Sequence, residues 1–138
     1  MLTRLLLLTS ILAMTFGCSS STDSESASSE APLLRHVVLF KFKDSATQAD
    51  VDAIVKAFGE LPSKIPEIVG YQWGTDVSIE GKANGFTHCF LVTFADEAGR
   101  ATYLPHPAHK TFVEALLPSL DKGTVVDFWS TDAQGTSD

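Results

Sequence analysis

Residues 86–94 read FTHCFLVTF, and this stretch limits the fold more than any other in the chain. Phe86, His88, Phe90, Val92 and Phe94 alternate onto one face, while Cys89 and Leu91 fall on the other. A period of two with aromatic and β-branched residues is a strand signature. Apolar residues on both faces mean that each face must be covered by something. Residues 36–43, HVVLFKFK, repeat the pattern, with His36, Val38, Phe40 and Phe42 opposite Val37, Leu39, Lys41 and Lys43.

Helical spacing fills the gaps between such runs. Val51, Ile54, Val55 and Phe58 recur at i, i+3, i+4 and i+7, so one stripe faces a core. Ser45 with Gln48 predicts a capping box at the start of this helix, and Gly59 and Pro62 end it. Residues 65–78 read as extended, with Tyr71 and Trp73 on one face, and residues 81–85 as a turn. Residues 95–103 and 107–117 predict two short helices, and residues 125–129 a last strand. The order predicts a ferredoxin-like βαββαβ α+β fold: an antiparallel sheet with helices on one face. A second copy of the sheet would cover the other face, which predicts a homodimer closed as a dimeric α+β barrel.

The stretch YLPHPAHKTF, residues 103–112, sits where this order places the last helix. Pro107 suits a first helical position. Counting from it, His109, Phe112, Val113, Leu116 and Leu117 share the apolar stripe. His109 then lies in the first helical turn, where burial and the helix dipole both favour the neutral ring. A neutral imidazole suits a general base. A satisfied core histidine has the same pattern, and the sequence leaves both readings open. His106 reads as a turn residue. His36, His88 and Asp127 also fall in step with apolar neighbours on their strands. Together with Tyr103 and His109 they predict a ligand pocket with a polar floor, lined further by Phe58, Trp73 and Phe112. The His106-x-x-His109 spacing is a weak metal signal, and no metal or other cofactor is expected.

The chain does not begin as a domain. Arg4 precedes an apolar run from Leu5 to Phe16, of signal-peptide length and short for a membrane span. Gly17-Cys18 resembles the lipobox of bacterial lipoproteins, departing from it at Thr15, where leucine is usual. That resemblance implies export, cleavage after residue 17 and lipidation of Cys18, giving a membrane-anchored lipoprotein of the bacterial cell envelope. Plain secretion and an uncleaved anchor are the alternatives. Residues 18–32 form a Ser-rich acidic tether; between Ser19 and Ala31 stand seven serines and three acids with no large apolar residue. The folded part is expected over 33–130, followed by a polar tail at 131–138. Net charge is −7 and becomes −8 once residues 1–17 and Arg4 with them are removed. Such an acidic chain without a basic run does not fit nucleic-acid binding. With Cys18 lipidated, Cys89 has no disulfide partner within the chain; a domain of roughly 100 residues can fold without one.

HVVLFKFKD, GYQWGTDVS, GFTHCFLVTF and YLPHPAHKTF together resemble the stress-responsive A/B barrel domain, one of the dimeric α+β barrel families. The resemblance runs without a gap from His36 to Trp129. It implies an apolar or aromatic small-molecule ligand in the barrel. Its polyketide-cyclase members imply an acid–base pair at Tyr103 and His109, with His36, His88 and Asp127 as further pocket residues. A pocket tyrosine on the first helix of those members is matched by Phe58, which cannot hydrogen-bond. Three functions are therefore carried forward. One is a ligand-binding barrel, the second a cyclase or lyase, and the third a relative of the monooxygenases that share the dimeric barrel. A purely structural dimer would leave the aligned polar residues without a use.

Overall fold

The computed structural model describes residues 31–130. The signal peptide, Cys18, nearly all of the tether and the polar tail of the sequence reading lie outside the described residues. Four strands and four helices follow in the order β1 (Leu34–Phe42), α1 (Gln48–Gly59), α2 (Leu61–Lys64), β2 (Ile68–Thr75), β3 (His88–Phe94), α3 (Glu97–Tyr103), α4 (Pro107–Leu116) and β4 (Leu120–Trp129). The sheet order is β2-β3-β1-β4, and each neighbouring pair is antiparallel. This is the ferredoxin-like α+β fold. Backbone hydrogen bonding continues just past the strands, from Ser130 N to Leu33 O.

Register decides which side chains meet the helices. Leu34, His36, Val38 and Phe40 of β1 stand in line with Phe90, Val92 and Phe94 of β3, and all seven are buried. Phe58 of α1 and Phe112 of α4 close over them; ring centroids lie 4.5 Å apart for Phe58–Phe90 and 4.6 Å for Phe58–Phe112. Aromatic pairs of this kind contribute about 0.5–1.5 kcal/mol each beyond the area they bury. The alternate residues form an open face. Across it run Leu91, Val37 and Val126 in one row, with Phe128 beside Arg35. Val126 and Phe128 are each about half exposed.

Several local expectations are corrected. The capping box is Thr47 with Asp50, not Ser45 with Gln48: Asp50 N–H donates to Thr47 Oγ1 at 3.2 Å and Thr47 N–H to Asp50 Oδ2 at 2.8 Å. Gln48 instead reaches forward to Asp52 at 2.8 Å. A carboxylate at the third helical position accepts from the cap N–H more strongly than a neutral amide would. Pro62 does not stop the chain from helixing; it sits within the first two positions of α2, where a missing N–H is harmless. β4 begins at Leu120, earlier than expected, because Leu120 opposite Phe42 and Lys122 opposite Lys41 continue the ladder with β1. Leu117 leaves the apolar stripe: α4 ends at Leu116, and Leu117 is 57% exposed.

Candidate functional site

The HPAH motif shapes a helix start. His106 is the N-cap of α4, and its Nδ1 accepts the Ala108 N–H at 3.1 Å, so His106 does more than turn the chain. Pro107 is the first helical residue and His109 the third. The His109 Nδ1 lies 3.0 Å from the Leu104 carbonyl. A carbonyl can only accept, so Nδ1 carries the proton and Nε2 of the neutral ring keeps its lone pair. Burial holds the His109 pKa below the ordinary histidine value; the Leu104 carbonyl opposes this, while His36 and His106 reinforce it. The helix N-terminus acts in the same direction.

Tyr103 ends α3 and is 1% exposed. Its ring lies 4.2 Å from that of His109, tilted by 42°, and 5.8 Å from that of His36. The Tyr103–His109 contact is a tilted ring–ring one, and the His109 Nδ1 hydrogen bond goes to Leu104. Burial pushes the Tyr103 phenol well above its ordinary pKa, and nearby Tyr71 adds to the shift. The phenol is thus held protonated, as a donor.

His36 and Asp127 are directly opposed on β1 and β4. His36 Nδ1 lies 2.6 Å from Asp127 Oδ1, and Arg100 Nη1 donates to Asp127 Oδ2 at 2.7 Å. The side chains are 7%, 30% and 26% exposed for His36, Asp127 and Arg100. Sequence reasoning missed Arg100. It stands one helical turn before Tyr103, and a single arginine on a short helix gives no signal until β4 is placed beside it.

His36, Tyr103 and His109 converge on a cavity of about 310 Å³, with Phe40, Phe58, Phe112 and Leu116 among its apolar walls. The cavity lies between the sheet and its own helices. His36, Tyr103 and His109 meet there within one chain, because they share the helix-covered face. His88 and Trp73 are not brought to it. They stack on each other, 6.4 Å apart and 7° from parallel, and His88 is paired with Phe40, four residues along β1 from His36. His88 Nδ1 bonds Thr87 Oγ1 at 2.9 Å, and burial lowers its pKa, opposed by Asp52. His88 instead borders a hollow of about 590 Å³ under the β2–β3 connection, with Leu39 and Cys89 from the open face. That hollow is larger and has Asp76, Lys82 and Asn84 on its rim, but His36, Tyr103 and His109 meet in the other one. Among the described residues no group of three or more His, Cys, Asp or Glu side chains is placed to hold a metal ion.

A ferredoxin-like α+β domain with a His/Tyr cavity on its helix-covered face is the class that fold and site define. Residues 34–130 match the family described as the stress responsive A/B barrel domain, and the chain belongs to that family. It is 38% identical over 98 residues to stress-response A/B barrel domain-containing protein HS1 of Arabidopsis thaliana, covering 71% of this chain and 90% of that protein. It is 32% identical over 95 residues to olivetolic acid cyclase of Cannabis sativa, covering 69% and 94%. Among solved structures, hydroxynitrile lyase from Passiflora edulis superposes with a TM-score of 0.70 at 28% identity, covering 75% of this chain and 97% of the lyase. A dimeric ferredoxin-like protein of unknown function from Thermobifida fusca gives 0.63 at 26%, covering 73% and 93%.

Proposed function

We propose that the chain is an acid–base enzyme of the cyclase or lyase kind, acting on a small apolar or aromatic carbonyl compound inside each protomer. The observation that carries this reading is His109. Its Nδ1 proton is committed to the Leu104 carbonyl, its ring is kept neutral by burial, and it stands against Tyr103 at an apolar cavity. In a cyclisation, Nε2 would accept a proton from a carbon next to a carbonyl, and the Tyr103 hydroxyl would donate a hydrogen bond to the developing oxyanion. In hydroxynitrile cleavage, Nε2 would take the hydroxyl proton as the C–CN bond breaks, and pass it to the leaving cyanide. A cavity of about 310 Å³ fits a single-ring ligand better than a long chain. The names of the cyclase and the lyase among the relatives support the reaction class. The assay is turnover of β-keto thioesters and aromatic hydroxynitriles. His109→Ala and Tyr103→Phe are each expected to lower it roughly 10²–10⁴-fold with the fold intact. Variants that stay within tenfold of the parent overturn the assignment. Ligand-induced shifts of the His109 ring without turnover by the parent would favour the binding reading.

The same proposal has two further parts. The Leu91–Val37–Val126 row on the open face, with the dimeric state of solved relatives, supports a homodimer joined sheet to sheet. A monomer mass by light scattering at micromolar concentration would refute it. The Gly17-Cys18 junction supports export and a lipid anchor on Cys18. Mass spectrometry that finds an unmodified Met1 start in the soluble fraction overturns that part.

A further inference from the structure

We propose that Arg100 is the positioning residue of this cavity: through Asp127 it fixes the tautomer of His36, leaving Nε2 as the ring atom available to a ligand. The argument rests on donor and acceptor inventory. A guanidinium has only donors and stays charged. At 2.7 Å from Arg100 Nη1, Asp127 Oδ2 is the acceptor of a charge-assisted bond, so Asp127 is a carboxylate with no proton of its own to offer. The 2.6 Å contact between Asp127 Oδ1 and His36 Nδ1 then has one possible direction, from the ring to the carboxylate. Without Arg100, the Asp127 side chain, 30% exposed, is free to turn toward solvent, and Nδ1 loses the acceptor that selects its tautomer.

Placement strengthens the case. Arg100 belongs to α3, Asp127 to β4 and His36 to β1, so the chain of bonds ties three elements together. Arg100 lies one helical turn before Tyr103, whose ring borders that of His36. His36 lines the cavity wall, as do Tyr103 and His109. With Nδ1 occupied on both histidines, each keeps Nε2 free. The cavity therefore holds two imidazoles in the same tautomer, one set by a backbone carbonyl and one by a charged pair. Two lone pairs facing one cavity suit a substrate that brings two donors, one C–H or O–H to be deprotonated and one hydroxyl to be held alongside. That functional meaning rests on the proposed acid–base reading, but the tautomer itself does not.

The test swaps one oxygen for an amide. In Asp127→Asn, Arg100 must take the amide oxygen, because it cannot accept. The NH₂ group then faces His36 Nδ1, which has to become an acceptor. Long-range ¹H–¹⁵N correlation of the His36 ring at about pH 8, above the reference value for a histidine side chain in water, should show Nδ1–H in the parent and Nε2–H in Asp127→Asn. Arg100→Met added to Asp127→Asn frees the amide to turn, and Nδ1–H should return. An Asp127→Asn protein that keeps Nδ1–H, or a double variant that stays Nε2–H, overturns the proposal. If Asp127→Asn does not fold, single changes at Arg100 decide it. The downfield Nδ1 proton signal of His36 should disappear in Arg100→Met and persist in Arg100→Lys. Persistence in a folded Arg100→Met with only a lower melting temperature means Arg100 is merely a clasp, and the proposal is wrong. The readout needs no substrate, so its failure and the failure of the turnover assay are separate results.

Discussion

Phe58→Ala tests the centre of the packing and the cavity wall together. Phe58 is 1% exposed, and its ring lies 4.5, 4.6, 5.5 and 6.1 Å from the rings of Phe90, Phe112, Tyr71 and Phe40. Truncating a buried phenylalanine to alanine costs about 3–5 kcal/mol, from lost transfer free energy and from the void left behind. Here one side of the ring already borders a cavity of about 310 Å³, so fewer contacts are lost on that side. The expectation is therefore the lower part of the range, about 3–4 kcal/mol. For a domain of roughly 100 residues, that lowers the melting temperature by roughly 12–30 °C. Circular dichroism melts of parent and variant at one protomer concentration give the number, since dimerisation makes the midpoint concentration-dependent. The enlarged space should also take up benzene, which would raise the variant's midpoint in a dose-dependent way. A loss below about 1 kcal/mol would refute the claim that Phe58 is the hub of the aromatic cluster.

Two further expectations can be checked by the same melts. The lowered pKa of His109 means the folded state disfavours its charged form, so the stability it supports is complete above the unfolded value of about 6.5 and is lost as pH falls from there through the depressed folded value. His109→Gln should flatten the stability profile in that acid window; an unchanged slope there would show that the imidazole titrates as it does in water. Thr47→Ala should cost about 1 kcal/mol by removing the α1 cap, while Ser45→Ala should cost nearly nothing, and the reverse order would restore the capping box read from the sequence.

Much of the fold was legible in the chain because it is written in local periodicity. The alternation in residues 86–94 and the i, i+3, i+4 stripe through Val51, Ile54 and Phe58 each depend on near neighbours alone. Their order was enough to give the ferredoxin-like sheet. Parity along the strands also placed His36 and Asp127 on the helix side, and helical counting placed His109 in the first turn of α4. Local choices between equivalent partners were less legible: Ser45 with Gln48 and Thr47 with Asp50 both fit the cap spacing, and the structure uses the pair with the carboxylate.

The site needed the tertiary structure, because its contacts join residues far apart in the chain. Being in phase with a core says which face a residue occupies, but not where along that face it lies. His36 and His88 share parity, yet the antiparallel β1–β3 register sets His88 opposite Phe40, so His88 pairs with Trp73 and never reaches Tyr103. Arg100 gained its role only when the β1–β4 register brought Asp127 to His36 and α3 settled above them. The sequence by itself determined the elements, their order and the side each residue faces, since those follow from spacing along one chain. The tertiary structure alone decided which polar groups share a cavity and which nitrogen of each histidine is left free, since those depend on register and on the hydrogen-bond partners that distant segments supply.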